Sequence, residues 1–423
     1  MRIARLSPIA LACALLSSNA FSATPSFLPP EEMVKETLDA FPGVLAAEAN
    51  IQSAQSEATR LRKGAHEATL SGSYISRSID GLGAYDEYDM TVSRGVRLPG
   101  KARLDKLSGS LGVDVAENQA EDARHEAALI LKDAWLSWLS AVEIAAIDAE
   151  GAQSFKSAFI AVEKRRNVKA ASDMEVAMAR AEYEQAEARA AMSAAEAASA
   201  RAIIERTFPE LSMPAAPLNL PAPEPLLNSD ELEALTLERS HELQIYRKEA
   251  ERLDAVAKRA RLDRFADPTV GVRGFSERGG EETGIGVVFS VPFGSGARRA
   301  TAARDRSTAE ASRYSAIRFE REFKARTQAN ILAADGAFTA WRAASAASAS
   351  SEEAVSKMRR GFSLGAKSLA ELLLAEQRHL DIKRTEAESR FAAHLAHLQV
   401  LIDAHEIWIV HHHDDEGEED ASG

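Results

Sequence analysis

In Tyr88-Asp89-Met90-Thr91-Val92-Ser93-Arg94-Gly95-Val96-Arg97-Leu98-Pro99-Gly100-Lys101-Ala102-Arg103 two periodicities meet. Up to Leu98 the residues alternate. Tyr88, Met90, Val92, Val96 and Leu98 fall on one face, and Asp89, Thr91, Ser93, Gly95 and Arg97 on the other, the period-two pattern of a strand with one apolar and one polar side. Arg94 falls on the apolar side, where its long stem can snorkel to an interface. After Pro99-Gly100 the pattern turns helical and runs without proline from about Ala102 to Arg165, on the order of 95 Å at 1.5 Å per residue.

The same sequence of events occurs a second time. Ile285, Val287, Phe289 and Val291 share a face opposite Gly284, Gly286, Val288 and Ser290, and the strand leads through Val291-Pro292-Phe293-Gly294-Ser295-Gly296 into a helical run from about Ala297 to Arg360. Each strand has a partner upstream, Thr69 to Ser76 and Thr269 to Ser276, across a polar, Gly-rich connection that reads as an exposed hairpin tip. Each long helix then turns back, through Arg166 to Asp173 in the first copy and Gly361 to Ser368 in the second. Ser172 with Glu175, and Ser368 with Glu371, have the spacing of capping boxes at the start of the returning helices.

One unit is therefore duplicated, over residues 30–209 and 230–408, with a Pro-rich linker at 210–229 between the copies. Residues 1–20 have the basic start, short apolar stretch and small-residue cleavage site of a secretory signal peptide. The chain's single cysteine, Cys13, lies inside that stretch. Ala10 stands where a lipid-attachment site wants a large apolar residue, so Cys13 reads as part of the apolar region rather than as an acylation site. Residues 409–423 form a His/acidic tail with the character of a disordered segment.

The formal net charge of −13 leaves no basic excess to displace phosphate counterions, which argues against a nucleic-acid partner. Enzyme chemistry fails on inventory. His394 and His397 lack the i,i+4 spacing and glutamate of a zincin helix, His241-Glu242 and His405-Glu406 have no second histidine in place, and there is no phosphate loop or nucleophile elbow. No cofactor is called for. Two two-stranded hairpins cannot close a sheet alone, so the expected fold class is an α+β membrane protein in which strands from several chains close a transmembrane β-barrel. Soluble hairpins on a helical body, or a trimeric coiled-coil envelope spacer or adhesin, are the competing architectures; the spacer does not account for strand hairpins at equivalent points of two copies.

The order of hairpin, Pro-Gly exit turn and long helical hairpin, given twice, resembles the TolC-type outer-membrane efflux factors over nearly the whole chain. The segments that carry the likeness are Gly95 to Arg103, Val291 to Arg298, and the tip Gly365-Ala366-Lys367-Ser368-Leu369-Ala370-Glu371-Leu372-Leu373. Leu98-Pro99-Gly100-Lys101 is similar to the form in the subgroup serving heavy-metal exporters. The resemblance implies a homotrimer whose four strands per chain make an outer-membrane barrel continued by a periplasmic α-helical barrel. A periplasmic adaptor and an inner-membrane pump of the resistance-nodulation-division type would be its partners. It implies barrel-exit turns at Pro99, Gly100, Pro292, Gly294 and Gly296, and a periplasmic gate at the tips, with Gly365, Lys367, Glu371 and Phe362 in the second copy and Asp173 and Glu175 in the first as candidates. Phe362 stands where the family can carry a tyrosine, and Leu374 where a second acidic residue is expected. The exported substrate is expected to be a divalent metal cation ahead of drugs or dyes, since His411, His412, His413, Asp414 and Asp415 offer ligands for such ions; a purely solvating tail is the alternative.

Overall fold

The computed structural model describes residues 25–215, 218–294 and 296–409. The proposed signal peptide, the metal-ligand candidates His411 to Asp415, and Ser295 of the second exit turn lie outside the described residues. Twelve main elements follow one another as two near-identical sets of six. The first is α1 (Glu31–Asp39), α2 (Pro42–Lys63), β1 (Ala68–Ile79), β2 (Gly83–Gly95), α3 (Lys101–Asn167) and α4 (Asp173–Thr207). The second is α5 (Ser229–Arg239), α6 (His241–Leu262), β3 (Thr269–Glu277), β4 (Glu282–Ser290), α7 (Gly296–Ser363) and α8 (Leu369–Asp403). Ahead of each hairpin lies a pair of helices. α2 and α6 have 22 residues each, α3 and α7 have 67 and 68, and α4 and α8 have 35 each, so corresponding surfaces of the two sets can meet in equivalent ways.

The long helices form where the expectation put them, starting one residue earlier and ending two or three later. β2 stops at Gly95 rather than Leu98. The reason is Arg97, which the alternation assigned to the polar strand face. It folds back to donate to the Leu61 and Arg62 carbonyls at 2.6 and 2.7 Å, filling acceptors at the C-terminal end of α2.

The four strands make one antiparallel sheet in the order β1-β2-β3-β4. β2 of the first set pairs directly with β3 of the second, from Tyr88 opposite Ser276 to Gly95 opposite Thr269. Near the sheet the helices lie side by side as α2, α3, α6 and α7; α4 and α8 take over from α2 and α6 toward the far tips. The largest apolar cluster is built on Trp135, Trp138, Leu131, Phe208, Leu398 and Trp408, with the Trp135 indole donating to the Phe27 carbonyl at 2.9 Å. A second cluster, including Phe155, Val162, Val176, Leu369 and Leu373, joins the two hairpins near their tips. No described helix is long and apolar enough to cross a membrane.

Small residues set the helix spacing. A Cβ on Gly109 of α3 would come within 2.9 Å of the Ala58 Cα on α2, a backbone contact that cannot swing aside. Gly109→Val is therefore expected to destabilise the protein by about 1–3 kcal/mol, the usual cost of overpacking. Gly336→Ala, with open space around it, should stabilise by about 0.5–1 kcal/mol through helix propensity. Thermal unfolding of the two variants in detergent checks the opposite signs.

Candidate functional site: strand band, junction and helical tips

Three places carry chemistry, and the first is the outer face of the sheet. Strand register stacks the apolar residues into cross-strand rows: Leu70, Val92, Val272 and Val287 in one, and Arg94, Val270 and Phe289 in the next. These side chains are exposed, Val287 and Ile285 at 85% and 86%, so the sheet turns its apolar side outward. The opposite face carries Thr69, Ser71, Ser73, Asp89, Thr91, Ser93 and Arg273, with Arg273 paired to Asp89 across β2 and β3. Val288, Phe275, Ile75 and, toward the hairpin tip, Ile79 and Tyr85 are the apolar exceptions on that side. Tyr74 and Tyr88 close the outward band at one end, their rings 5.3 Å apart. Exposed Phe289, Phe293 and Phe265 flank it at the other. Six residues separate the limiting rows on β1, roughly 20 Å of strand. Arg94, the charge on the apolar face, lies at the helix-proximal end and donates to the His66 carbonyl at 3.1 Å.

The second place is the junction of strands and helices. Lys101, the first residue of α3, is 2% exposed, and its ammonium donates to the Phe265 carbonyl (2.7 Å), Asp267 (2.8 Å) and Asp263 (2.9 Å), all on the turn between α6 and β3. Asp267 also takes His66 Nε2 at 2.9 Å and the Leu98 N–H at 3.1 Å. Burial would raise the pKa of Asp267, but the hydrogen bonds from Lys101, His66 and Leu98 outweigh it and hold the carboxyl at about 2. Arg97 and Arg259 share Asp105 at 2.8 and 2.7 Å, and Arg259 also pairs with Asp263. Gly100, which caps α3, has φ +88°, a conformation that favours glycine and sharpens the turn after Pro99. Gly294 has φ +94° at the second exit, and Gly296 opens α7 after Pro292.

The third place is the pair of tips. Both capping boxes form. Ser172 and Ser368 accept from the backbone of Glu175 and Glu371, whose carboxylates accept in return from the serine N–H groups at 2.7 and 2.9 Å. Glu371 is exposed and further bonded by Lys367 Nζ at 2.9 Å. The Ser368 N–H, Lys367 and the Ser368 hydroxyl, in that order, depress its pKa to about 2. The pKa of Glu175 is lowered by the matching contacts with Ser172. Asp173 pairs with Arg166 at 2.8 Å. Phe362 lies under the Arg165 guanidinium, 5.4 Å from its ring centroid, and so ties the second tip to the first. Gly365 turns the chain at φ +75°. Leu364 and Leu374 are exposed.

Spacing along the chain did not reveal a polar cavity of about 380 Å³ where α3, α6, α7 and the end of α8 converge. It gathers His125, His241 and His405, with ring centroids 5.7 and 5.4 Å from His405, beside Asp122, Glu242 and Asp403. Burial and the nearby Glu242 carboxylate push Asp122 up to about 6. Residues so far apart in the chain carry no local signal. Among the described residues no group of three His, Cys, Asp or Glu side chains is set to hold a metal ion. His394 is a packing residue, donating from Nε2 to the Pro221 carbonyl (3.0 Å) and edge-on to Phe27, with its pKa lowered by burial.

No family model and no curated protein matches this sequence. Solved structures do. The chain is similar to the outer membrane protein VceC from Vibrio cholerae, with a TM-score of 0.72 at 16% identity over 90% of this chain and 96% of that one. It is similar to the outer-membrane channel OprN, with 0.72 at 18% identity over 90% of each chain. It is also similar to the CmeC outer membrane channel of Campylobacter jejuni, with 0.71 at 15% identity over 89% of this chain and 85% of that one. The chain has the fold of these outer-membrane channels.

Asp267→Asn leaves the buried Lys101 ammonium short of a charge partner and is expected to cost about 3 kcal/mol, the lower end for breaking a buried pair. Because the folded pKa lies below the ordinary carboxylate value, the stabilisation from Asp267 is present above about pH 4 and fades as pH falls toward 2. Unfolding measured between pH 6 and pH 3 should therefore show the parent's advantage over Asp267→Asn shrinking toward the acid end.

Proposed function

We propose that the protein is the outer-membrane duct of a tripartite efflux system. Three copies, with four strands each, would close a twelve-stranded transmembrane β-barrel, and the helices of the same three copies would form a barrel in the periplasm. The observation that carries this reading is the exposed apolar band on a sheet whose other face is polar. Such a surface is costly in water, and it matches a barrel with lipid outside and a wet lumen inside. The names of the structurally similar proteins, outer-membrane channels, support it. Passage through the duct is passive. A periplasmic adaptor and a resistance-nodulation-division-type pump in the inner membrane supply the drive, and lipid is the third partner.

For the substrate we propose divalent metal cations, in preference to drugs or dyes. The support is the likeness of Leu98-Pro99-Gly100-Lys101 to the metal-exporting subgroup and the His411 to Asp415 tail. Loss of the protein should sensitise its host to zinc, cobalt or cadmium salts and leave dye tolerance unchanged; the reverse pattern would replace metal by drug as the cargo.

The tips are the proposed periplasmic gate. With its pKa near 2, Glu371 stays charged through the physiological range, so three copies around an axis repel at any working pH and are relieved by bound cations rather than by protons. Divalent-ion block in planar bilayers should therefore weaken in Glu371→Gln, while the parent's conductance stays flat from pH 5 to pH 8. Unchanged block in Glu371→Gln would make the glutamate a helix cap alone.

The band itself is testable. Val287→Arg, pointing outward, should lower the yield of membrane-inserted protein, at about 2–4 kcal/mol for a site near the bilayer midplane, whereas Thr69→Arg on the polar face should be tolerated. Equal yields of detergent-extracted oligomer from the two variants would reverse the facing assignment.

A further inference from the structure

Each set of helices has a joint where the start of one helix meets the end of the returning one, α2 with α4 and α6 with α8. The first joint is filled with carbon. Phe41 stands at the cap before α2 and Phe208 at the cap after α4, and their rings stack 5.4 Å apart in the cluster that buries Leu38, Val44 and Ile204. In the second set the same two cap positions hold Ser240 and Ala404, neither of which brings a ring. The stack that forms instead lies one residue further on in each segment, His241 on His405, with centroids 5.4 Å apart. Two phenyl rings give way to two smaller, polar ones. The joint is left open as the cavity of about 380 Å³, walled by α3 on one side and α7 on the other.

Most polar groups of the lining are engaged. The hydroxyls of Thr236, Ser240 and Thr327 bond to the backbone of their own helices. Asp403 takes His125 at 3.2 Å, Asn330 at 3.2 Å and Gln399 at 2.8 Å, and Glu242 is paired with Arg326. Asp122 and Glu126 are left: among the described residues neither has an ion pair or a hydrogen bond. They stand one turn apart on the same face of α3, their Cβ atoms about 5–6 Å from each other, with Asp122 half-buried and Glu126 exposed. Leu129 and Phe323 give the cavity an apolar side.

We infer that this joint binds a short aliphatic diamine, one ammonium on Asp122, the other on Glu126 at the mouth, and the methylenes along Leu129 and Phe323. A carboxylate drawn out of water needs a cation or a proton. The chain gives Asp122 no cation, since Arg326 is taken by Glu242, and Glu242 itself adds repulsion from α6. Asp122 is pushed up to about 6 by burial and by that neighbour, so at neutral pH it is ionised and uncompensated. A single metal ion does not match the place. The acids and imidazoles of the lining do not converge on one point, and the space is far larger than an ion. An organic dication matches the volume, the charge and the apolar side together, and fills in the second joint the gap that Phe41 and Phe208 fill in the first. The site stands on this cavity alone and does not rest on the channel reading.

Calorimetric titration of putrescine and cadaverine into the detergent-solubilised protein at pH 7.5, with thermal unfolding alongside, tests it. Saturable binding at one site per chain and a higher Tm are expected. Butylamine, which has one ammonium, should bind at least ~tenfold more weakly, the worth of one charge-assisted hydrogen bond. Magnesium chloride at matched ionic strength should leave Tm unchanged. Asp122→Asn keeps the shape and removes an uncompensated carboxylate, so it should unfold no earlier than the parent yet lose ~tenfold or more in diamine affinity. Glu196→Gln, on an exposed face of α4, should bind as the parent does. Affinity in the parent should fall from pH 7.5 to pH 5.5, as protons neutralise Asp122 and charge the facing His125, His241 and His405. Glu126, Glu242, Asp403 and Arg326 keep their charge over that range, and the fall should be shallower in Asp122→Asn. No saturable heat, an equal response to magnesium, or undiminished binding in Asp122→Asn each overturns the site. A protein that binds the diamine but never assembles in a membrane removes the channel and leaves the site standing.

Discussion

An ammonium group cannot be buried without compensation, and Lys101 is the point where that constraint organises the molecule. Removing it from water costs several kcal/mol, offset only if carboxylates and a carbonyl converge on it. Those groups, Asp263, Asp267 and the Phe265 oxygen, all belong to the other repeat. Satisfying Lys101 therefore brings the exit turn of the first hairpin onto the entry turn of the second. From that contact β2 and β3 come into register, two hairpins become one sheet, and α3 and α6 run side by side. Arg97, Arg259 and Asp105 extend the network so that no charge in it stands alone.

Below the junction the physics changes from charge to shape. Small residues on α2 and α3 make room for their neighbours: Gly109 lets the α2 backbone in at Ala58, and Gly151 takes the Leu380 side chain of α8. α3 sits at the centre with neighbours on both sides, whereas α7 has them on one side only. Two helices of nearly equal length and equivalent position in the repeat thus have very different surroundings within a chain. The difference vanishes if α7 finds on a second copy what α3 finds inside the chain.

Elements with a short-range code were legible in the sequence. Alternation from Tyr88 to Val92 placed the strand and its faces, Pro99-Gly100 placed the turn, and the Ser-x-x-Glu spacing placed both caps, because each depends on residues within a few positions of one another. The role of Lys101 was not legible, since its partners lie more than 160 residues away and its motif reads equally well as a family mark. Arg97 was misassigned for the same reason: alternation knows nothing of the open carbonyls at the end of α2. The histidine cavity was invisible because His125, His241 and His405 are brought together only by the packing of α3, α6 and α8.

The gate proposed at the tips asks one residue to hold two roles whose demands conflict. A glutamate that caps a helix must be ionised and turned back onto its own backbone, and at Glu371 the Ser368 N–H and Lys367 enforce that. A glutamate that closes a pore by attracting ions must project its field outward. Lys367 offsets much of that field in a single copy, so a ring of Glu371 carboxylates is weaker than its count suggests, and weaker still at physiological ionic strength. Closure of the proposed gate would then depend more on how the two hairpins grip each other, through Phe362 under Arg165 and the cluster of Phe155, Val176, Leu369 and Leu373, than on the charge itself. In the proposed gate, charge at the tip tunes which ions linger there, and packing between the hairpins decides whether the tip can open.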